Sequence, residues 1–206
     1  MLHHLNPTEL RASGCKDENL DALKGLTALQ TLDLRYCPAL QNLDGLKGNT
    51  ALQSLELRNC YALQNVDGLK GLTALQSLAL SVSYKLQNVD GLKGNTALQK
   101  LNLSDCPALQ NVDGIKGLNA LQSLNLRHCR ALQNVDVLKG LNALQKLELH
   151  NSEMLQDVGV LKSLPGLKEI SLRGCYKIPA ASLRELPGAL PNTDITYPDA
   201  ATSPPL

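Results

Sequence analysis

The sequence predicts a parallel β-solenoid, a stack of near-identical coils that each add one short strand to a single sheet. Three observations carry this. Leucine recurs in register every 23 residues from Leu29 to Leu190. The spacing of apolar residues changes within each unit from alternation to steps of three. The 206 residues include 46 leucines and neither Phe nor Trp. That composition suits many thin apolar layers better than one irregular core filled by large rings.

Position 1 of the unit is Leu29, Leu52, Leu75, Leu98, Leu121, Leu144 and Leu167. Positions 4 and 6 are apolar and flanked by polar residues, as in Leu55 and Leu57, which is the pattern of a half-buried strand. Positions 12, 15 and 18 step by three, as in a loose or 3₁₀-like return path. No coil buries its apolar face alone, so the coils must stack, with strands about 4.8 Å apart. Seven to nine of them give a rod on the order of 35–45 Å long. The reading assigns 1–28 to an N-terminal cap with an atypical first repeat and 29–189 to seven full repeats. It assigns 190–198 to a closing strand. Ala200-Ala201-Thr202 and the following Ser-Pro-Pro place 199–206 in a disordered tail. The first unit is one residue short, since Cys15 and Cys37 are 22 apart.

The run LQSLELRNCYALQNVDGLKGL from Leu52 to Leu72 resembles the leucine-rich repeat family, in its bacterial type with 23-residue, cysteine-containing repeats. The ending IPAASLRELPGALPNTDITYP, Ile178 to Pro198, is similar to the closing cap of such proteins. The resemblance implies an α/β solenoid. Its form is a right-handed superhelix with a parallel sheet on the concave side and short 3₁₀ or irregular segments on the convex side. It also implies that the usual task is to bind another protein or a ligand.

Net charge +1 and pI ≈ 7.6 remove the electrostatic case for nucleic acid or an anionic membrane. Apolar runs are too short for a membrane helix. The opening Met-Leu-His-His-Leu-Asn-Pro lacks the pattern of a secretory signal, so the expected compartment is the cytoplasm. There is no GxGxxG, Walker loop, HExxH or GxSxG, so neither an enzyme nor a cofactor is expected.

Several columns read as structural. Cys37, Cys60, Cys106, Cys129 and Cys175 share position 9, with Cys15 in the matching place and Ser83 and Ser152 in the gaps. A small S–H donor there can bond to the neighbouring coil's backbone. The column argues against zinc, which needs convergent ligands, and against disulfides, whose side chains must face each other. Asp44, Asp67, Asp90, Asp113 and Asp136 at position 16 can N-cap a short turn. Lysines three residues on neutralise them. Gln at positions 2 and 13 and Asn at position 14 can zip between coils by amide hydrogen bonds.

Specificity has to come from positions that vary. Positions 5, 7, 8 and 10 carry the candidates. Tyr36, Arg58, Tyr61, Val82 and Tyr84 form a tyrosine-bearing patch whose Tyr and Arg are the residue types that dominate interfaces, and Asp33, Arg35 and Glu56 are further binding candidates on the strands. Arg127, His128, Arg130, His150 and Arg173 form a basic cluster, and Tyr176 extends the edge. His128 and His150 lack a third ligand, so no metal site is expected. The function read from these residues is a monomeric, non-enzymatic module binding an unidentified protein or peptide through the concave face and the tyrosine edge. The alternatives are a consensus-like scaffold with no ligand, or a host-directed bacterial effector.

Overall fold

The computed structural model describes residues 6–198. The expected tail at 199–206 therefore lies outside the described residues. Nine three-residue strands run from β1 (Glu9–Arg11) to β9 (Asp194–Thr196), with β2 Thr31–Asp33, β3 Ser54–Glu56, β4 Ser77–Ala79, β5 Lys100–Asn102, β6 Ser123–Asn125, β7 Lys146–Glu148 and β8 Glu169–Ser171 between them. They form one parallel sheet in chain order. Register follows the repeat: Leu55 pairs with Leu78 and Leu78 with Leu101, while Leu10 pairs with Leu32 across the shorter first unit. This is the leucine-rich repeat solenoid.

Each strand turns its central leucine, or isoleucine in β8 and β9, inward, and positions 1, 6, 12, 15 and 18 join it in one continuous core. Leu52, Leu55, Leu57, Leu63 and Leu69 are fully buried, with Val66 at 1%. Burying such a side chain contributes about 1.5–3 kcal/mol, repeated in every coil. The return path closes on a three-residue 3₁₀ turn, Asp44–Leu46 in the first full unit and Asp67–Leu69 in the next. Here the capping expectation is corrected. Each Asp is the first residue of its turn and makes no side-chain cap. Its backbone N–H instead donates to the Asn two residues earlier, Asp67 to Asn65 Oδ1 and Asp90 to Asn88 Oδ1, both at 3.1 Å. The Asn column therefore works within its own coil, because an Asx turn is reached with no change of chain path. The Asp carboxylates remain free to pair with lysine, as in Lys47–Asp44 and Lys93–Asp90 at 2.9 Å.

Position 17 sets how closely the convex turns approach. Gly45, Gly68, Gly91 and Gly114 are placed so that a Cβ would overlap the backbone carbonyl of Leu20, Leu43, Val66 or Val89 in the preceding coil. The glycine column ends at Val137 and Val160, both half-buried against the core. A side chain at this place holds the coil off its predecessor. A cleft of about 730 Å³ opens there on the convex side, bordered by Asp113, Lys116, Asp136, Val137 and Lys139. The last coil returns through an α-helix, α1 (Ala180–Ala189), which buries Leu183 and Leu186.

The cysteine column behaves as a ladder over most of its length. The Cys60, Cys106, Cys129 and Cys175 thiols donate to the carbonyls of Leu34, Leu80, Leu103 and Leu149, at 3.4, 3.4, 3.2 and 3.0 Å. Ser152 does the same to Leu126 at 3.0 Å, whereas Ser83 Oγ has no partner among the described residues. The expectation of no disulfide is wrong at one end: Cys15 and Cys37 are bridged. Their Cα atoms are 4.8 Å apart, within disulfide reach. Among the described residues no carbonyl from a preceding coil is placed against the Cys15 sulfur, which bridges to Cys37.

Candidate functional site

Beyond each strand, the residue at position 8 enters left-handed backbone, and the chain then turns inward to the cysteine column. Tyr36, Asn59, Val82, Asp105, His128 and Asn151 have φ between 58° and 64°, and Gly14 and Gly174 occupy the same place. Backbone hydrogen bonds hold the corner: Val82 N–H donates to the Ser104 carbonyl and His128 N–H to that of His150, each at 3.0 Å. Asn, Asp, His and Gly tolerate this conformation well. Val82 does not, because its branched Cβ crowds the following carbonyl, at a cost of about 1–3 kcal/mol. The signal was present in the sequence: five of the seven full units carry Asn, Asp, His or Gly at position 8.

The corner projects positions 8 and 10 along one rim of the sheet. Tyr61 and Tyr84 stack there, with ring centroids 5.3 Å apart and planes within 10°. Asn59 Nδ2 donates to Tyr61 Oη at 3.0 Å. Tyr84 is 53% exposed and Tyr61 39%. Tyr36 stands one coil before this pair and Tyr176 four coils beyond Tyr84, both well exposed, so the structure does not gather all four tyrosines.

On the sheet face the arginines are matched locally. Arg35 grips Asp33 through Nε at 2.9 Å and Nη2 at 2.6 Å, and this holds the Asp33 carboxyl below the usual carboxylate range. Arg58 pairs with Glu56 at 3.0 Å. Between Arg58 and Arg127 the face dips, because Ala79, Ser81 and Ser104 are small and buried. Arg127 reaches Asp105 at 3.7 Å. His128 and His150 meet edge to face with centroids 5.7 Å apart, and His150 Nδ1 lies 3.3 Å from Glu148 Oε2. Burial and the neighbouring Arg127 lower the His150 pKa, outweighing Glu148. Arg173 lies one coil farther on.

The two clusters, separate in sequence, share a cleft. Val82, Tyr84, Asp105, Pro107, His128 and Arg130 line about 470 Å³ at the rim, spanning three successive coils. Asp105 and Pro107 are the members that sequence reasoning did not assign to a site. Among the described residues no group of three or more His, Cys, Asp or Glu is placed to hold a metal ion.

No protein-family model matches the chain, and no curated protein does. Solved structures do. Internalin C2 from Listeria monocytogenes is similar over 83% of this chain and 74% of its own, with 25% identity and a TM-score of 0.73. The leucine-rich repeat domain of the type III effector XCV3220 (XopL) is similar over 93% and 69%, with 24% identity and a TM-score of 0.78.

Proposed function

We propose that this chain, which shares the leucine-rich repeat solenoid fold of internalin C2 and the effector domain, is a non-enzymatic module that binds another protein or peptide through its concave face and tyrosine-bearing rim. The observation that carries the reading is the exposed Tyr61–Tyr84 stack. Two rigid aromatic faces held against each other lose little side-chain freedom on binding. Tyr and Arg are also the side chains that concentrate binding energy. The varied residues at positions 5 and 7, against a near-constant scaffold, support a specific ligand over a bare structural array. The site comprises the patch from Asp33 to Tyr84 with Arg127, His128, His150 and Arg173, and Tyr176 prolongs its edge.

The working unit in this reading is a monomer with no nucleic-acid partner. Among the described residues no helix is long and apolar enough to cross a membrane. The cytoplasmic expectation rests on the lack of a secretory-signal pattern in the opening residues. The Cys15–Cys37 bridge supports an oxidising compartment instead.

Affinity capture with the wild-type chain and with Tyr61→Ala/Tyr84→Ala tests the proposal. The expected result is a partner held by the wild type and released by the double variant. A variant that retains every captured partner overturns the rim as the contact surface.

A further inference from the structure

Val82 occupies left-handed backbone that the Asn and Gly of other coils adopt without strain. Among the described residues Val82 is not one of those packed in or against the core. Its side chain is half-buried in the rim cleft, beside Tyr84 and Pro107. These three make an apolar wall. His128 and Arg130, both two coils beyond Val82 and one beyond Pro107, complete the lining, and Arg130 is 63% exposed. Among the described residues the Arg130 guanidinium has one ion pair, a long 3.5 Å contact to Glu153, itself on the surface. Such a pair is weak and exchanges readily for another carboxylate. Asp105, the one acid in the cleft, is turned to Arg127 at 3.7 Å. The cleft crosses three coils, about 10 Å, the span of roughly three extended residues.

We propose that this rim cleft, bounded by Val82, Tyr84, Pro107, His128 and Arg130, takes a short extended peptide segment in which an apolar side chain lies next to a carboxylate. The apolar side chain lies against Val82, Tyr84 and Pro107, and the carboxylate displaces Glu153 from Arg130. This rests on the binding-module reading and names the kind of partner that module accepts. Val82 is then a specificity-determining residue, kept despite its backbone strain because Asn would present a polar amide to the apolar anchor.

The test is fluorescence anisotropy with labelled Gly-Ser-Asp-Leu-Glu-Ser-Gly. One control peptide replaces both acids by Lys and another replaces Leu by Gly. The wild-type chain binds the acidic peptide saturably and at least tenfold more tightly than either control. Val82→Asn weakens binding at least tenfold while raising the melting temperature by about 2–4 °C, since strain is relieved as the anchor is lost. Arg130→Glu removes the preference for acid over Lys at unchanged melting temperature. The proposal is overturned if the acidic peptide shows no saturable binding, or if Val82→Asn binds it as well as the wild type. If the peptide fails while Tyr61→Ala/Tyr84→Ala still releases captured partners, the rim surface stands and the ligand class assigned to the cleft falls. If both fail, the binding-module reading falls with it.

Discussion

Tyr61 and Tyr84 are 23 residues apart in the chain and lie face to face, their ring planes within 10° of parallel. The repeat alone creates this contact, because position 10 of successive coils is separated by one strand spacing, close to the distance at which offset rings attract. A double-mutant cycle on Tyr61→Ala and Tyr84→Ala in urea unfolding should give a coupling of about 0.5–1.5 kcal/mol. A coupling indistinguishable from zero would show that the rings do not stack in solution.

The glycine column makes unequal predictions for two inverse exchanges. Gly91→Val drives a side chain into the Val66 carbonyl and should destabilise by at least about 2 kcal/mol, since backbone cannot yield as a side chain can. Val137→Gly loses a half-buried valine and closes the convex cleft. Its cost should stay within about 1.5 kcal/mol, the scale of removing a partly buried side chain. Denaturation midpoints of the two variants settle the order, and equal losses would refute the steric account.

The cysteines should divide by environment. Burial pushes the Cys60 and Cys175 thiols up to about 11, Cys106 to about 12, and raises Cys129 as well. These four should react with a thiol reagent only on unfolding, because thiolate is the reactive form. Reducing the Cys15–Cys37 bridge, which closes a 22-residue span, should weaken the N-terminal coils by about 3 kcal/mol. Melting with and without a phosphine reductant measures this, and an unchanged profile would show that the bridge adds no stability.

His150 makes stability depend on pH with a definite sign. Its folded-state pKa lies below the unfolded value of 6.5, so the unfolded chain binds the proton more readily. Its contribution is fully present above about pH 6.5, the unpaired histidine value. It is lost as pH falls through the lowered folded value. His150→Gln should flatten the fall in urea midpoint between pH 7 and pH 5. A steeper fall in the variant would mean that Glu148, not burial and Arg127, governs this imidazole.

The architecture was legible because one 23-residue pattern is written seven times, and each copy repeats the same instruction to bury positions 1, 4, 6, 12, 15 and 18. Leu55 and Leu78 had to pair for both to be buried, and they do. The candidate site was legible only as a set of variable positions. The sequence showed that Tyr84 and His128 vary and share a rim. It did not show that they enclose a common cleft. That depends on the left-handed corner at Val82 and His128, which aims both side chains outward from the same edge. The Asp column does not cap its turns for a related reason: Asn and Asp two residues apart both suit a turn, and backbone geometry decides that Asn accepts the hydrogen bond.

By itself, the sequence determined the solenoid, its register and its aromatic-free core, since periodic burial of leucine leaves stacking as the only way to exclude water. Tertiary structure decided the rest. Whether a thiol in the column meets a second sulfur or only a carbonyl is set by how neighbouring coils approach: Cys37 bridges to Cys15, whereas Cys60 donates to the Leu34 carbonyl. Whether a valine at position 17 overlaps a neighbour or opens a cleft depends on the spacing between coils. These are relations between coils, set by distances of a few ångströms that a repeat unit read alone does not contain.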